Sequence, residues 1–269
     1  DRSPSRGLGD VYKRQLLGVS MMNMAYSADV VAHRGASGHA PENTISAVLK
    51  AIEMKSHFVE VDVQMSKDGE VVVIHDITLD RTTNGSGDVL ATNFSDIQKL
   101  DAGTWFSEKF KGEKVPSLKE VLELDFLKSN LIIEVKNTNN SNEGIEEKIV
   151  SDLKASSFRN KVIFKSFTPV VLNRFKKLAP NIDRLYVTIG SLLGLVVDDG
   201  LRFGSLFDVA DIQYLQVHRF FMRKSVLKKS HAKGIKVIVW DVHNDDGISK
   251  FKKMGVDYIE TDFPEKVLD

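Results

Sequence analysis

A histidine and an arginine stand together after a short apolar run, where they could act on an anionic substrate. Residues 30–32 read VVA and lead into His33 and Arg34, a glycine turn follows, and residues 41–44, PENT, have the composition of a helix start. A strand that delivers polar residues to its carboxyl end, followed by a turn and a helix, is how an α/β barrel presents catalytic groups at one rim. A hydrogen-bonded structural role is the alternative for His33.

Two carboxylates alternate with valines in the next apolar segment. Residues 58–63 read FVEVDV, so on a strand Glu60 and Asp62 project from one face while the valines pack on the other. A half-exposed strand with a polar side is the ordinary interpretation of such alternation. The segment, however, has the composition of a strand in a buried sheet, where unpaired carboxylates would be costly. The pair therefore favours a bound cation, which would relieve the repulsion between the two charges.

Two further predicted strands carry polar residues to similar positions. After a Lys-Asp-Gly turn, residues 70–74 return as a strand that ends at His75. Residues 131–136 read LIIEVK, so Glu134 and Lys136 share one face of another strand. Polar groups at four strand ends are more than a packed core accommodates, and they predict a functional site.

Strands and helices alternate along the chain, which favours a parallel sheet with crossover helices. Eight strands are predicted to form the sheet, near residues 30–33, 58–63, 131–135, 162–166, 184–189, 214–217, 237–241 and 258–260. Helices are predicted between them, for example at residues 44–54, 143–155, 169–178, 224–233 and 246–254. This order is that of a (β/α)8 TIM barrel.

The composition is that of one main domain without a strong overall charge. A chain of 269 residues with 42% hydrophobic residues can bury one large core, and barrels of this kind have about 250 residues. Lys plus Arg and Asp plus Glu number 37 each, so no overall positive field attracts nucleic acid. The absence of cysteine excludes disulfides, thiolate metal sites and a cysteine nucleophile.

Several segments resemble the glycerophosphodiester phosphodiesterase family, bacterial type, in the family's own order. The matching segments are HRGASGHAPENT from His33, EVDVQMSKDGEVVVIHD from Glu60, LDRTTNG from Leu79, PSL from Pro116, EVK from Glu134, SF at Ser166, Trp240 within VIVWDV, and GVDYIETDFP from Gly255. Ordered agreement of many segments is more specific than any single motif. The resemblance implies a TIM-barrel domain, here residues 29–269. It also implies a small insertion after the second strand, predicted at residues 77–116, over the barrel mouth.

The residue types at the predicted strand ends suit phosphodiester chemistry. Glu60, Asp62 and Glu134 offer three hard oxygen ligands and no sulfur, which favours one divalent cation, Ca²⁺ or Mg²⁺. A phosphodiester held by this ion, Arg34 and Lys136 would have its charge neutralised, which would let a nucleophile approach phosphorus.

His33 and His75 are the predicted catalytic residues, as base and acid on opposite sides of phosphorus, in either assignment. The resemblance implies that the glycerol hydroxyl next to the phosphate attacks first and expels the alcohol. Water would then open the cyclic phosphate, and sn-glycerol 3-phosphate would be released.

The resemblance also points to residues with alternative structural roles. Glu42 is implied as a site residue, against a first-turn capping role. Phe167 and Trp240 each end a predicted strand and could line the glycerol pocket, or they could only pack inside the barrel. His243 and Tyr258 depart from the family pattern, in which asparagine and a small residue are more usual.

Three functions remain open from the sequence. The first is an enzyme that hydrolyses glycerophosphodiesters such as glycerophosphocholine. The second is a lysophospholipase D or sphingomyelinase D-like phosphodiesterase on lipid substrates, which an exposed apolar lip on residues 77–116 would favour. The third is a non-catalytic barrel that binds glycerophosphodiesters, which the presence of both histidines and all three acidic residues disfavours. The sequence leaves the oligomeric state open.

Residues 1–28 are predicted to be a leader outside the barrel. Residues 1–15 lack apolar periodicity and resemble an assembly scar, and residues 16–28, LLGVSMMNMAYSA, resemble the end of a secretory signal peptide. This pattern favours export, to the periplasm or the medium. A natural start at Met21, Met22 or Met24 would instead give a cytoplasmic protein. No segment is long and apolar enough to be predicted as a transmembrane span.

Overall fold

The computed structural model describes residues 27–136, 142–188 and 211–268, together with the backbone of three short strands between residues 190 and 205. Residues 1–26, and with them most of the predicted leader, lie outside the described residues. No helix of the described part has the length and apolar character required to cross a bilayer.

Parallel strands close into a barrel because the first of them pairs with both the second and the last. The strands in chain order are β1 (Asp29–Ala32), β2 (Phe58–Met65), β3 (Val71–Val73), β4 (Asn130–Val135), β5 (Val162–Ser166), β6 (Asp183–Thr188), β7 (Gly190–Leu192), β8 (Leu195–Val197), β9 (Phe203–Ser205), β10 (Tyr214–His218), β11 (Lys236–Trp240) and β12 (Tyr258–Thr261). The barrel order is β1-β12-β11-β10-β6-β5-β4-β2, and β3 lies antiparallel to β2. The predicted TIM barrel is confirmed, and each of the eight predicted barrel strands overlaps an observed one.

Helices follow the barrel strands along the chain. They are α1 (Ile45–Glu53), α2 (Phe94–Ile97), α3 (Leu118–Leu122), α4 (Ile145–Ala155), α5 (Pro169–Leu178), α6 (Lys224–His231), α7 (Asp245–Met254) and α8 (Glu265–Leu268). The apolar face of α1 is buried through Ala47, Val48, Ala51 and Ile52. Its first turn is capped by Thr44, whose hydroxyl accepts a hydrogen bond from the backbone N–H of Ala47.

Successive side chains of each barrel strand point alternately outward and inward, so an outer core is separate from the barrel interior. The valines of β2 pack outward into the core shared with α1 and α4. Rings and aliphatic side chains fill one part of the interior, including Phe58, Ile163, Tyr214 and Tyr258. Tyr258 therefore packs among aromatic rings at the amino end of its strand, 5.4 Å from the Phe58 ring centroid.

The predicted insertion, 77–116, begins just after β3 and shares an apolar cluster with residues of β3 and the position that follows it. That cluster comprises Val72, Ile74, Leu79, Val89, Ile97, Ala102 and Val115. Two short 3-10 turns, Val89–Ala91 and Glu108–Phe110, lie within the segment. A second excursion, the antiparallel sheet β7-β8-β9, was not predicted, because strands of three residues are too short for an alternating pattern to be recognised.

Candidate active site

The carboxyl ends of the first barrel strands bring the predicted polar residues together. His33 and Arg34 follow β1, and His75 comes two residues after β3. Glu60 and Asp62 lie on the interior face of β2, and Asp62 is paired in register with Glu134 on β4. The pairing places two carboxylates side by side, as expected where residues on adjacent strands share one face.

Three buried carboxylates form the centre of the site. Glu60, Asp62 and Glu134 are 0%, 1% and 2% exposed, and one oxygen from each lies within 4.8 Å of the others. Asp62 Oδ1 and Glu134 Oε1 both face the Lys136 ammonium as ion pairs, at 3.3 Å for Asp62. Clustered carboxylate oxygens are the ligands that a hard divalent cation prefers, so this group can hold one.

The three acidic groups differ in their pKa values. Burial raises the pKa of Glu60 to about 7. Burial acts in the same direction on Asp62, but Lys136 and Arg34 outweigh it and hold the Asp62 pKa well below its usual range. Burial is likewise outweighed at Glu134, where Lys136 and Lys165 lower the pKa to about 2. At neutral pH, Asp62 and Glu134 are therefore anionic.

Two cations flank the carboxylates. Arg34 donates its backbone N–H to Glu60 Oε2 at 2.8 Å, and its Nε lies 3.3 Å from Asp62 Oδ2. The Lys136 Nζ lies 5.5 Å from the centroid of the Phe167 ring as well as against the acidic pair. Both side chains are about one-fifth exposed, at 18% and 20%, so an anion in the barrel mouth can reach them.

His33 is held by a carboxylate from the other end of the chain. Its Nδ1 donates to Asp262 Oδ1 at 2.8 Å, and Ser37 Oγ donates to the same oxygen at 2.9 Å. Burial lowers the pKa of His33, but the Asp262 hydrogen bond and the nearby Glu260 and Glu60 carboxylates outweigh burial and raise it. With Nδ1 engaged, Nε2 is the nitrogen left for proton transfer.

His75 is likewise held by an aspartate, Asp76, which is the next residue in the chain. Its Nδ1 donates to Asp76 Oδ1 at 2.6 Å, and Asp76 also accepts a hydrogen bond from Arg81 Nε at 2.7 Å. The hydrogen bond from Arg81 lowers the pKa of Asp76 to about 2. Burial lowers the pKa of His75 itself, despite the nearby Asp62. His75 is therefore neutral at physiological pH.

Glu42 and Asn43 tie the loop after β1 to the site. Glu42 accepts hydrogen bonds from Arg34 at 2.7 Å and from two nitrogens of Arg81 at 2.8 Å, so it links the barrel to the insertion. The cap of α1 is Thr44 rather than Glu42. Asn43 donates to Asp62 Oδ2 at 2.9 Å and accepts from the Asp62 N–H at 3.0 Å, which fixes that carboxylate.

Aromatic side chains line the opposite arc of the barrel. Phe167 follows β5, and its ring lies edge-on to that of Trp240 with 6.1 Å between centroids. Trp240 also contacts the His218 ring, at 4.9 Å. The Nε1 of Trp240 is buried and donates no hydrogen bond within the described residues. The two aromatic residues predicted from the sequence thus share one wall, which has an unused donor.

Several site contacts were not predicted from the sequence. The roles of Asp262, Asp76 and Arg81 were missed, although Asp76 follows His75 directly. Lys165 also lies in the site, and a signal for it was present: it falls between Ile163 and Phe167 at the same strand parity, so its side chain had to enter the barrel.

Comparison with known proteins matches one family along most of the chain. The family model described as "Glycerophosphoryl diester phosphodiesterase family" matches residues 33–266. YhdW of Bacillus subtilis is 39% identical over 239 residues, covering 89% of this chain and 96% of that protein. A glycerophosphodiester phosphodiesterase of Caldanaerobacter subterraneus is 38% identical over 243 residues, with the same two coverages, 89% and 96%.

Solved structures agree with the sequence relatives. An Oleispira antarctica phosphodiesterase, determined in complex with the product sn-glycerol-3-phosphate, is 28% identical with a TM-score of 0.80, covering 90% of this chain and 96% of that one. A glycerophosphodiester phosphodiesterase of Agrobacterium tumefaciens is 29% identical with a TM-score of 0.74, covering 89% and 98%. The non-catalytic barrel is thereby set aside. The chain belongs to the glycerophosphoryl diester phosphodiesterase family and is an enzyme.

Proposed function

We propose that this enzyme hydrolyses glycerophosphodiesters to sn-glycerol 3-phosphate and an alcohol, with the help of one divalent cation. The observation that carries the proposal is the buried group of Glu60, Asp62 and Glu134 at the same barrel end as two histidine–aspartate pairs. The product bound to the Oleispira antarctica relative supports the choice of substrate.

The metal proposed is Ca²⁺ or Mg²⁺, held by the three carboxylates. All three are oxygen donors, and the described residues offer no thiolate because the chain has no cysteine. When bound, such an ion supplies positive charge that favours the phosphate and the charge that develops on it. Asn43 and the Arg34 backbone keep two of the carboxylates in place.

Arg34 and Lys136 are the proposed phosphate-binding residues. Each carries its charge on a side chain about one-fifth exposed at the site. Glu42 orients the Arg34 guanidinium through its 2.7 Å hydrogen bond. Phe167 and Trp240 would form the wall against which the glycerol carbons pack, and the free Trp240 Nε1 could donate to a glycerol hydroxyl.

The two histidines are proposed as base and acid in opposite protonation states. His75, whose pKa is lowered, takes the proton from the glycerol hydroxyl as that oxygen bonds to phosphorus. His33, whose pKa is raised, gives its proton to the departing alcohol oxygen as the phosphorus–oxygen bond breaks. Water then opens the cyclic phosphate, with the two histidines exchanging roles, and both return to their starting states.

A second candidate is phosphodiesterase activity on a lysophospholipid. It is favoured by exposed apolar side chains on the insertion, where Ile77 is 67%, Leu90 44% and Trp105 41% exposed. Ile77 comes two residues after His75. Comparing kcat/KM for glycerophosphocholine and lysophosphatidylcholine separates the candidates: a larger value for the lipid would favour the second.

The cyclic route is tested with a substrate that lacks the attacking hydroxyl. Glycerophosphocholine should exceed its 2-deoxy analogue in kcat/KM by about 10³ or more, because an oriented internal nucleophile has a high effective concentration. The head-group alcohol should matter little, which glycerophosphoethanolamine serves to check. Comparable values for the natural substrate and the 2-deoxy analogue would refute the cyclic intermediate and favour direct attack by water.

A further inference from the structure

A buried lysine that is shielded from the barrel mouth contacts two of the three acidic ligands. Lys165 is 2% exposed, and its ammonium lies 3.0 Å from Glu60 Oε1 and 2.9 Å from Glu134 Oε2. A buried ammonium is costly unless it is paired and hydrogen-bonded, so this contact requires an equally buried set of partners. Lys165 is too enclosed to touch substrate.

Its third partner is a carboxylate outside the proposed metal site. Glu260 on β12 lies 3.1 Å from the Lys165 ammonium through Oε2, and its Oε1 accepts a 2.6 Å hydrogen bond from Gln216 on β10. Glu260 is 2% exposed and Gln216 is 0% exposed. Strands from the far arc of the barrel thus hold the lysine in one place.

The position of Lys165 determines which carboxylate oxygens remain for an ion. Lys165 engages Glu134 Oε2, so Glu134 Oε1 is the oxygen left on the side of the Lys136 ammonium, which Asp62 Oδ1 also faces. At Glu60, Lys165 engages Oε1 while the Arg34 N–H engages Oε2. Both carboxylates are therefore fixed in rotation, and repulsion between them is offset by the charge of the lysine.

We propose that Lys165, held by Glu260 and Gln216, is a positioning residue that orients Glu60 and Glu134 for the divalent cation. The proposal rests on the metal-dependent function proposed above. Partners of this kind, one contact removed from a metal, typically change metal affinity by about 10- to 100-fold when they are lost.

A double variant separates orientation from charge. Lys165→Met alone would leave buried carboxylates without their counter-ion and should impair folding. Lys165→Met combined with Glu260→Gln removes one charge of each sign and keeps an acceptor for Gln216, so it should fold and preserve the net charge of the site. Circular dichroism and thermal melting check the fold. Calorimetric titration with Ca²⁺ and with Mg²⁺ should then give a Kd about 10 to 100 times that of the wild type.

The matched control is Lys161→Met. Lys161 directly precedes β5 but is 43% exposed and pairs with Asp183 and the Tyr214 hydroxyl, at the other end of the barrel. Its metal Kd should equal that of the wild type. Turnover gives a second readout: raising the metal concentration should raise kcat of the double variant to that of Glu260→Gln, which lacks the same carboxylate near His33, and a merely structural defect would not allow this.

A further variant, Glu260→Gln alone, guards against failure of the double variant to fold. It loosens Lys165 and should also weaken metal binding, by about 10-fold. A wild-type Kd in either folded variant would overturn the role of Lys165 and leave the metal proposal standing. A wild-type enzyme that binds neither ion would overturn both.

Discussion

His33 and His75 make similar hydrogen bonds to aspartates, yet their pKa values move in opposite directions. Burial prevails at His75 and lowers its pKa. At His33 burial is outweighed by the Asp262 hydrogen bond and the field of Glu260 and Glu60, so the pKa rises. Two histidines whose pKa values differ in this way are suited to act as a base and an acid at one pH.

Loss of either histidine should affect catalysis far more than folding. His33→Ala and His75→Ala should each lower kcat by about 10² to 10⁴, the range for loss of general acid or base help. Steady-state kinetics and thermal melting measure the two effects. His231→Ala, which removes a half-exposed histidine paired with Asp257, should leave kcat unchanged. Near-normal turnover by His75→Ala would rule out the two-histidine mechanism.

The pH dependence should identify His33 as the acid. The rate of the first step should rise as His75 deprotonates and fall as His33 deprotonates, so kcat/KM should be bell-shaped. Asp262→Asn removes the carboxylate that raises the His33 pKa. The His33 pKa then falls, and the alkaline limb should move to lower pH while the acid limb stays in place. An alkaline limb that does not move would assign that limb to another group.

The site residues that could be predicted from the sequence are those that form a recognisable pattern within one short segment. Glu60 and Asp62 alternate with valines, and the structure places both inside the barrel as expected. Asp262 was not given a role, because it is 229 positions from His33 and meets it only when β12 pairs with β1. Contacts made by closure of the barrel leave no local pattern.

One glycine allows the close approach between the loop after β1 and helix α1. Gly35 has φ +80°, and its N–H donates to Glu60 O at 3.0 Å. A Cβ there would lie 2.6 Å from the carbonyl carbon of Ala47 in α1. The turn that carries His33 and Arg34 therefore has no room for a side chain.

Substitution of this glycine should destabilise the protein through backbone strain and a clash. Gly35→Ala should lower the free energy of unfolding by about 3 kcal/mol or more. Gly69→Ala is the control, because Gly69 also has φ +80° but a Cβ at that position would meet no atom within 4 Å. Gly69→Ala should lower the free energy of unfolding by only about 1 kcal/mol, because it introduces backbone strain without a clash. Equal losses of stability in denaturant titrations would show that the contact with α1 is unimportant.

The barrel strands and the longer helices were predictable, and the sheet of β7, β8 and β9 was not. The barrel strands and helices α1, α4, α5, α6 and α7 overlap their predicted ranges. The β7–β9 sheet was missed because each of its strands has three residues, and a period of two cannot be established over so short a run.

A balanced overall charge coexists with a strongly charged barrel interior. The chain carries 37 basic and 37 acidic residues. Inside the barrel the buried acidic side chains at the site include Glu60, Asp62, Glu134 and Glu260, and the cations that contact them include Arg34, Lys136 and Lys165. Recognition of an anionic diester therefore depends on this local arrangement and on the ion it would hold, since no long-range field assists.

The proposed metal dependence is tested by the release of sn-glycerol 3-phosphate from glycerophosphocholine, measured before and after metal removal. Turnover should fall to background in excess chelator, because Glu60, Asp62 and Glu134 would lose the ion that they are proposed to hold. Addition of Ca²⁺ or Mg²⁺ should restore it. Elemental analysis must show that the chelated protein is free of metal. Full release of sn-glycerol 3-phosphate by that metal-free protein would contradict the proposed function.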